Sequence, residues 1–400
     1  MGMKGLQLAF WQDMPSIHQS AHIRALALHC GRVTVIGRRG LSQDRSRQGW
    51  AEPDFGCAET ITVSGRAQVA ETISSLAETT VNVVSGFRGP DFIGETIDLL
   101  EEKGRKWGLM VEGCDGSGLK GAARRLGYRF LSAKRKRRSA FVLGMGTAAC
   151  RWYQSAGFAP DKIFPYGYFT ESHEKPAPSA SRGPFRIIYV GSLISRKGVD
   201  ILIRALGLLR DSEWRCEVLG EGPERSGLSS LIDTLALGGR VSMTPFVQND
   251  IAQRTIAAAD LLVLPSRFDG WGATVNEALG AGTPVVCSDN CGSRDLLSEP
   301  WRGAVFQTGS PSDLARALRG RMLIGPTTDQ TRNRIRDWAE ERITGEAAAR
   351  YFLEIMNCCL RGGLRPVPPW DRPTMERHGT LTASVLGAVH SFGASGDSTV

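Results

Sequence analysis

The sequence lacks features that define several classes of protein. No apolar run approaches the roughly 20 residues that span a bilayer, and no long apolar segment precedes a small-residue cleavage site near the start. The nine cysteines form no C-x-x-C pair, so we expect neither a disulfide framework nor a zinc site. No Asp-x-Asp element, which could hold Mg²⁺ through substrate phosphates, occurs. These absences predict an unexported, cytoplasmic protein with reduced thiols and no metal.

The composition is that of a folded protein with more than one domain. The chain has 400 residues, of which 42% are hydrophobic and 22% are charged, which is unlike a disordered chain. This length exceeds what one hydrophobic core usually organises, so we expect two domains. Glycine is abundant at 47 residues and follows no G-X-Y period, which excludes collagen and predicts many tight turns. The net charge of +8 favours an anionic partner.

Strand-like and helix-like segments alternate in both halves of the chain. LQLAFW, VTVIG and VNVVSG in the first half, and RIIYVGS, RCEVLG and DLLVLP in the second, are separated by helical stretches. This order predicts an α/β protein with two doubly wound, Rossmann-like parallel sheets. Because ligands of such sheets bind beyond the carboxyl ends of the strands, we expect a cleft between the two domains.

Composition also predicts where the domains end. A polar stretch with three prolines, TESHEKPAPSASRGP, has no apolar period and is typical of a linker. The last residues are rich in Pro, Gly, Ser and Thr, which is typical of poor order. The expected parts are a first domain over 1–170, a linker over 171–184, a second domain over 185–343, a helix over 344–360 that returns to the first domain, and a flexible tail over 361–400.

The segment LLVLPSRFDGWGATVNEALGAGTPVV carries the clearest chemical signal. An apolar strand is followed by Gly270 and Gly272, which flank Trp271 and let a ligand approach the backbone. A helix then begins, and its free amides and dipole favour a phosphate group. The amides expected to hold a diphosphate are those of Gly272, Ala273 and Thr274.

Two carboxylates lie on either side of this expected anion site. Asp269 precedes the helix and Glu277 lies within it. A carboxylate is an acceptor that can take hydrogen bonds from several hydroxyl groups. A sugar and a ribose are therefore the expected ligands.

At these residues the sequence resembles the family-four retaining glycosyltransferases, whose GT-B fold has two Rossmann-like domains and an E-x7-E motif. Here the motif is Asp269-x7-Glu277, followed by EALGAGTPVV. The resemblance implies that Asp269 contacts hydroxyls of the donor sugar and that Glu277 contacts the ribose. Asp in the first position shortens the reach by one methylene and keeps the carboxylate.

A second match lies in YVGSLISRKGVDILIRAL, where the family shows a strand ending near Gly191 and a K-G that opens a helix. The resemblance implies that Lys197 neutralises the diphosphate leaving group. Ser192 stands where the family usually has arginine, and the sequence leaves open whether Arg196 replaces that cation. VLGEGPER also resembles the family's G-x-G-P turn near the nucleotide.

The first domain offers weaker signals. His18 lies between the first strand and its helix, where it faces the predicted cleft and could contact the acceptor or a sugar. A histidine in such a loop is more often only solvated. Glu112 lies at the end of another predicted strand, and we rank it below His18.

The excess positive charge is concentrated in residues 117–138, which contain nine basic residues and no acidic one. Interleaved apolar residues give this segment an apolar side, which is typical of contact with an anionic membrane surface. The alternative is a solvated charged face. Nucleic acid is not expected because no reader motif accompanies the charge. The basic residues are Lys120, Arg124, Arg125, Arg129, Lys134, Arg135, Lys136, Arg137 and Arg138.

The resemblance implies a retaining hexosyltransferase. Its donor substrate would be a nucleotide-diphosphate sugar, and it would need no other cofactor. Its acceptor would be a glycan or lipid-linked glycan, a precursor of polysaccharide or lipopolysaccharide, at the cytoplasmic face of the membrane. The alternatives are a GT-B sugar-nucleotide epimerase and a nucleotide-sugar-binding protein without catalytic activity, the latter suggested by Ser192.

Overall fold

Each half of the chain forms one parallel β-sheet in the computed structural model, which describes residues 5–40, 52–87, 91–131, 133, 135–171, 183–245 and 247–373. The first sheet has the strand order β3-β2-β1-β4-β5-β6-β7, and the second has the order β10-β9-β8-β11-β12-β13. In each sheet the order reverses beside the first strand, between β1 and β4 and between β8 and β11. Loops that leave these strands in opposite directions open a crevice at the sheet edge, which is where ligands of such folds bind.

The described strands and helices have the following bounds. The strands are β1 (Gln7–Gln12), β2 (Arg32–Gly37), β3 (Glu59–Thr62), β4 (Val81–Ser85), β5 (Trp107–Val111), β6 (Val142–Met145), β7 (Ile163–Tyr166), β8 (Phe185–Val190), β9 (Trp214–Leu219), β10 (Val241–Thr244), β11 (Leu261–Leu264), β12 (Val285–Ser288) and β13 (Gly303–Phe306). The α-helices are α1 (Ile17–His29), α2 (Gly65–Ser75), α3 (Phe92–Glu102), α4 (Gly118–Leu131), α5 (Arg135–Arg138), α6 (Gly146–Ser155), α7 (Val199–Gly207), α8 (Arg225–Thr234), α9 (Asn249–Ala258), α10 (Ala273–Gly280), α11 (Pro311–Ile324), α12 (Asp329–Arg342) and α13 (Gly345–Arg361).

The central strands are continuous apolar runs because helices cover both faces of each sheet. Every residue of β5, β6, β11 and β12 is buried. The edge strand β3 has the sequence ETIT and stays largely exposed. The burial pattern therefore follows the position of a strand in its sheet.

Helix α13 lies against helix α1 of the first domain. Gly345 packs on the backbone carbonyl of Ala21, and the ring centroids of Phe352 and Phe10 are 6.1 Å apart. The last helix of the chain thus ties the second half back to the first sheet.

Part of the segment 362–373 packs against the rest of the molecule, through Trp370 and Arg365, which differs from the expectation of a flexible tail from residue 361. Trp370 is only 3% exposed, and its ring centroid lies 5.9 Å from that of Trp271. Arg365 donates to the carbonyl of Asp161 at 2.9 Å. Burial of a large indole ring is favourable enough to offset the conformational entropy that the backbone loses when the segment becomes ordered. Residues 374–400 lie outside the described part of the chain, as do residues 172–182 of the expected linker.

The two domains contact each other directly beside the crevice. Asp295 of the second domain accepts hydrogen bonds from the Thr147 backbone N–H at 2.6 Å and from its hydroxyl at 2.9 Å. Asn276 donates through Nδ2 to the carbonyl of Tyr168 at 2.8 Å. The Asp295 carboxylate thus caps the N-terminus of α6 from the opposite domain.

The basic segment 117–138 divides into two helices with different surroundings. On α4, Leu119, Leu126 and Phe130 are 91%, 57% and 73% exposed. On α5, Arg135 donates to Asp98 at 3.0 Å and Arg138 to Glu101 at 3.3 Å, so both cations are paired with α3. These two arginines therefore have carboxylate partners within the first domain, whereas the apolar side chains of α4 are exposed.

No described helix combines the length and the apolar composition that a bilayer-spanning helix needs.

Candidate active site

Lys197 and Asp269 meet at the point where the second sheet reverses its order. Lys197 follows β8 and Asp269 follows β11, and these two strands are neighbours. Lys197 Nζ lies 2.6 Å from Asp269 Oδ2. Ser266 donates from its hydroxyl to the same carboxylate oxygen at 3.4 Å. The structure thus brings together two of the residues that the sequence motifs single out, although 72 positions separate them.

The N-terminus of α10 lies directly after this carboxylate. Gly272 is the N-cap residue, with φ of +96°, and it provides no side-chain cap. A Cβ at this position would come within 2.6 Å of Leu264 Cδ2, so the turn requires glycine both for its backbone conformation and for space. Ala273 and Thr274 are partly exposed. The helix start therefore has backbone N–H groups that no side chain caps and that could face an anion.

Arg196 lies beside Lys197 at the same carboxylate. Its guanidinium donates to the carbonyl of Phe268 at 2.9 Å and lies 3.8 Å from Asp269 Oδ1. Two cations therefore flank one carboxylate at the entrance to the α10 N-terminus. An excess of positive charge at this point favours a diphosphate.

The glycines of VLGEGPER have a packing role. Gly220 and Gly222 lie against the backbone carbonyls of Gly191 and Leu193, at distances that leave no space for a Cβ. Gly191 itself donates through its N–H to the carbonyl of Leu219 at 3.0 Å. The motif therefore holds the loops after β8 and β9 together, and Gly191 contributes a backbone hydrogen bond to this contact.

Glu277 lies within α10 and is partly buried. Burial raises the pKa of its carboxyl above the ordinary value, and a hydrogen bond with Gln253 of α9 offsets part of this effect. The side chain is therefore held by the neighbouring helix. Its remaining acceptor capacity is available to a hydroxyl group.

The ring of Trp271 is completely buried. Its Nε1 donates to Asn276 Oδ1 at 2.7 Å, and the ring packs against Gly167 and Trp370. Only the backbone of Trp271 could contact a ligand, because its side chain fills the interface between the domains.

On the first domain, His18 is the second residue of α1, not part of the loop before the helix. Its ring stacks on Tyr168 with centroids 5.0 Å apart. Nearby, Gln12 donates to Gln19 at 2.8 Å, and Gln19 donates to Ser85 at 3.2 Å. These groups follow β1 and β4, so they lie at the reversal point of the first sheet, opposite that of the second.

A cavity of about 450 Å³ opens at this edge of the first sheet. Its lining includes amide, carboxylate and aromatic groups, among them Gln19, Asp91, Glu112, Tyr128 and Tyr168. Aromatic faces combined with hydrogen-bonding groups suit a hydroxyl-rich ligand. We refer to this space as the first-domain cavity.

Glu112 is the residue that sequence reasoning undervalued. It follows β5, accepts a hydrogen bond from the Tyr168 hydroxyl at 2.6 Å, and lies so close to the backbone of Gly270 that a Cβ there would overlap it. The side chain stays open to solvent in the crevice. Its place at a strand end was the available signal.

The walls of the crevice affect the ionisation of Glu112. Partial desolvation between the two domains raises the pKa of its carboxyl, the Tyr168 hydrogen bond lowers it, and the charge of Asp269 raises it further. Glu112 therefore responds electrostatically to the second domain's site, which it faces across the crevice.

Among the described residues, no three His, Cys, Asp or Glu side chains are grouped so that they could hold a metal ion.

A comparison with known families identifies the second half of the chain. Residues 171–342 match the family described as glycosyl transferases group 1. This match covers the second domain, which we therefore refer to as the group 1 domain. The site residues from Lys197 to Glu277 all lie within it.

Curated relatives match this chain over less than half of their own length. An alpha-D-kanosaminyltransferase of Streptomyces kanamyceticus is 28% identical over 183 residues, which is 45% of each chain. The lipopolysaccharide core biosynthesis glycosyltransferase LpsD of Rhizobium meliloti is 30% identical over 153 residues, 36% of this chain and 43% of that one. The matched stretch thus spans less than half of these relatives.

Solved structures show that the similarity in fold extends over both domains. The crystal structure of Anabaena Alr3699/HepE in complex with UDP superposes with a TM-score of 0.69 at 16% identity, covering 88% of this chain and all of that one. The two facing Rossmann-like domains, with the group 1 domain second, are the GT-B fold. This confirms the fold that the sequence predicts.

Proposed function

We propose that the protein transfers a hexose from a nucleotide-diphosphate sugar to a polysaccharide or lipopolysaccharide precursor, with retention of configuration. The observation that carries the proposal is the meeting of Lys197, Asp269 and the uncapped N-terminus of α10 at the reversal point of the second sheet. The binding of UDP by HepE, a protein of similar fold, supports a nucleotide donor. The name of LpsD supports a lipopolysaccharide precursor as the acceptor.

The proposed reaction breaks the bond between the anomeric carbon and the diphosphate oxygen, and the electron pair stays on that oxygen. The acceptor hydroxyl forms its bond to the anomeric carbon on the same face, and its proton passes to the departing phosphate. Negative charge grows on the diphosphate as the bond breaks. Lys197 and the α10 amides stabilise that charge more strongly in the transition state than in the ground state.

Other residues orient the two substrates. Asp269 accepts hydrogen bonds from donor-sugar hydroxyls, Glu277 accepts them from the ribose, and Arg196 supplies the cation that Ser192 does not. The acceptor occupies the first-domain cavity, with Glu112 directed toward Gly270. Contact between the domains excludes water, so that transfer is faster than hydrolysis.

Helix α4 is the proposed contact with an anionic membrane. Leu119, Leu126 and Phe130 follow the i, i+7, i+11 spacing that places them on one helical face, and all three are exposed. Basic residues flank this face, which is the arrangement of a helix that lies in the lipid interface. The proposed location is therefore the inner face of the cell membrane, as a peripheral protein.

Nucleotide binding and sugar transfer test the proposal. We expect one of UDP, GDP, dTDP or ADP to raise the thermal midpoint, because a ligand of the native state stabilises it. Lys197→Ala and Glu277→Ala should each lower sugar transfer from the matching nucleotide sugar by about 100-fold or more. Lys103→Ala, at an exposed lysine of the first domain, is the matched control and should keep full activity.

Wild-type turnover in both variants would contradict the site. Conversion of the nucleotide sugar without transfer would identify an epimerase. Nucleotide binding without turnover on any acceptor would identify a binding protein.

A further inference from the structure

A second cavity lies between the domains, beside the first-domain cavity. Its volume is about 370 Å³. Gly113 and Cys114 line both spaces, so the loop after β5 separates them. The opposite wall is formed by Phe268, Asp269 and Gly270 of the second domain. A group bound here, in what we call the interdomain cavity, would therefore lie next to the donor site.

Two arginines of the first domain line this interdomain cavity. Arg125 projects from α4 and Arg151 from α6. Arg151 shares its helical face with Ala148, Trp152 and Ser155, which also line the space and follow the i, i+3, i+4, i+7 spacing of one face. The first domain thus contributes two arginine side chains to the lining of the same volume.

Neither arginine is neutralised by the described protein. No carboxylate of the described residues forms a salt bridge with Arg125 or Arg151. Arg125 is instead positioned by neutral groups: its Nη2 donates to the Gly116 carbonyl at 3.3 Å, and its guanidinium carbon lies 5.7 Å from the centre of the Trp152 ring. These neutral contacts position the Arg125 side chain, and no carboxylate of the described residues pairs with its charge.

The only acid among the described residues that line the interdomain cavity is Asp269. Its carboxylate already lies 2.6 Å from Lys197 Nζ. The lining is therefore net positive. Guanidinium groups bind phosphate oxygens in pairs, and two of them match the charge of about −2 on a phosphate monoester.

We propose that the interdomain cavity is a phosphate subsite for the acceptor, which therefore carries a phosphate group near the hydroxyl that receives the sugar. The inference rests on the proposed function, because only a transferase has an acceptor. The phosphate belongs either to a soluble sugar phosphate or to a lipid-linked one.

The first test compares a phosphorylated probe with a neutral one. Calorimetry on the full chain should show that Arg125→Gln/Arg151→Gln weakens binding of glucose 1-phosphate by about tenfold or more and leaves binding of methyl α-glucoside unchanged. Lys120→Gln removes a charge from the same helix outside the cavity lining, and it should retain wild-type affinity for glucose 1-phosphate.

Three results would overturn the subsite. The first is equal affinity of the double variant and the wild type for glucose 1-phosphate. The second is an equal loss in Lys120→Gln, which would show only diffuse attraction. The third is a wild-type protein that prefers neither glucose 1-phosphate nor farnesyl phosphate over methyl α-glucoside.

Nucleotide binding separates this inference from the proposed function. The nucleoside diphosphate that stabilises the wild type should bind the double variant with unchanged Kd. A lower affinity would assign the interdomain cavity to the donor and overturn the subsite. If no nucleoside diphosphate binds the wild type while glucose 1-phosphate binding still depends on the two arginines, the proposed function fails and the anion site remains.

Farnesyl phosphate assigns the source of the phosphate. If it binds more tightly than glucose 1-phosphate and Phe130→Ser removes that advantage, the phosphate is lipid-linked. If glucose 1-phosphate binds at least as tightly, the phosphate is soluble. Both outcomes support the subsite.

Discussion

Glu112 shows how a single residue acquires its chemistry from two domains. The first domain supplies the side chain and its partner Tyr168. The second domain supplies Asp269, whose charge adds to the effect of desolvation and raises the pKa of Glu112. A carboxyl placed between a hydroxyl donor and a like charge is adjusted by both, and the strength of each influence depends on how closely the domains approach.

We expect Glu112→Gln to lower kcat by about 100-fold, because a neutral amide oxygen accepts the acceptor hydroxyl's hydrogen bond more weakly than a carboxylate does. Nucleotide affinity should not change, since Glu112 lies on the first domain. Steady-state kinetics with varied donor measure both quantities.

The raised pKa of Glu112 predicts how activity depends on pH. The raised pKa means that the Glu112 carboxylate becomes protonated above the ordinary glutamate value of 4.5 as the pH falls. Wild-type kcat/KM should therefore decline on the acid side at a pH above 4.5. In Glu112→Gln this limb should become shallower, leaving only the contribution of Glu277, whose pKa is also raised. Glu78→Gln, at an exposed glutamate of the same domain, should keep the wild-type profile. An identical acid limb in Glu112→Gln would contradict the role.

At the scale of elements, α4 and α5 show that one run of basic residues can serve two purposes. Arg135 and Arg138 of α5 pair with acidic residues of α3, so they hold these two helices together. Helix α4 keeps its apolar face uncovered. The number of basic residues in the sequence does not distinguish paired arginines from unpaired ones. Whether an arginine forms an ion pair depends on which helix packs beside it.

Leu126→Ser/Phe130→Ser should reduce binding to vesicles that contain phosphatidylglycerol by about 100-fold, because each large apolar side chain contributes about 1.5–3 kcal/mol when buried. Co-sedimentation with vesicles measures this. Leu323→Ser/Ile324→Ser, which changes two exposed apolar residues of α11, is the matched control and should bind like the wild type. Equal vesicle binding by the α4 variant would contradict the membrane contact.

At the scale of the whole molecule, the last described segment joins the two domains. Trp370 contacts Phe169 of the first domain and Trp271 of the second. Trp271 belongs to the same loop as Asp269, and its buried ring anchors that loop. The geometry of the donor site therefore depends on a residue that is distant from it in the sequence.

Trp370→Ala should lower the thermal midpoint by about 5 °C or more, because loss of a buried indole costs about 3–5 kcal/mol. Scanning calorimetry measures the shift. Val367→Ala, at a half-exposed residue of the same segment, should stay within about 1 °C of the wild type. An unchanged midpoint for Trp370→Ala would show that this segment is dispensable.

Local patterns along the chain were enough to predict the fold and to single out the residues that we propose bind the donor. Apolar strands alternate with helices, and this pattern alone predicts two parallel sheets. The predicted helix over 344–360 agrees closely with the observed Gly345–Arg361. Asp269, Gly272 and Glu277 could be found because they lie within nine consecutive residues, where local chain geometry fixes their relation.

What lies across the crevice could be learned only from the folded molecule. Glu112 and Gly270 are distant in sequence, as are Arg125 and Arg151, and no local pattern brings either pair together. The rings of Trp271 and Trp370 are buried against each other. Neither burial can be predicted from the sequence, because it depends on contacts with residues that are distant along the chain. The sequence by itself determines local backbone preferences, because these depend on neighbouring residues. Contacts between the domains are decided only by the tertiary structure, because they depend on how the surfaces of two folded domains fit together.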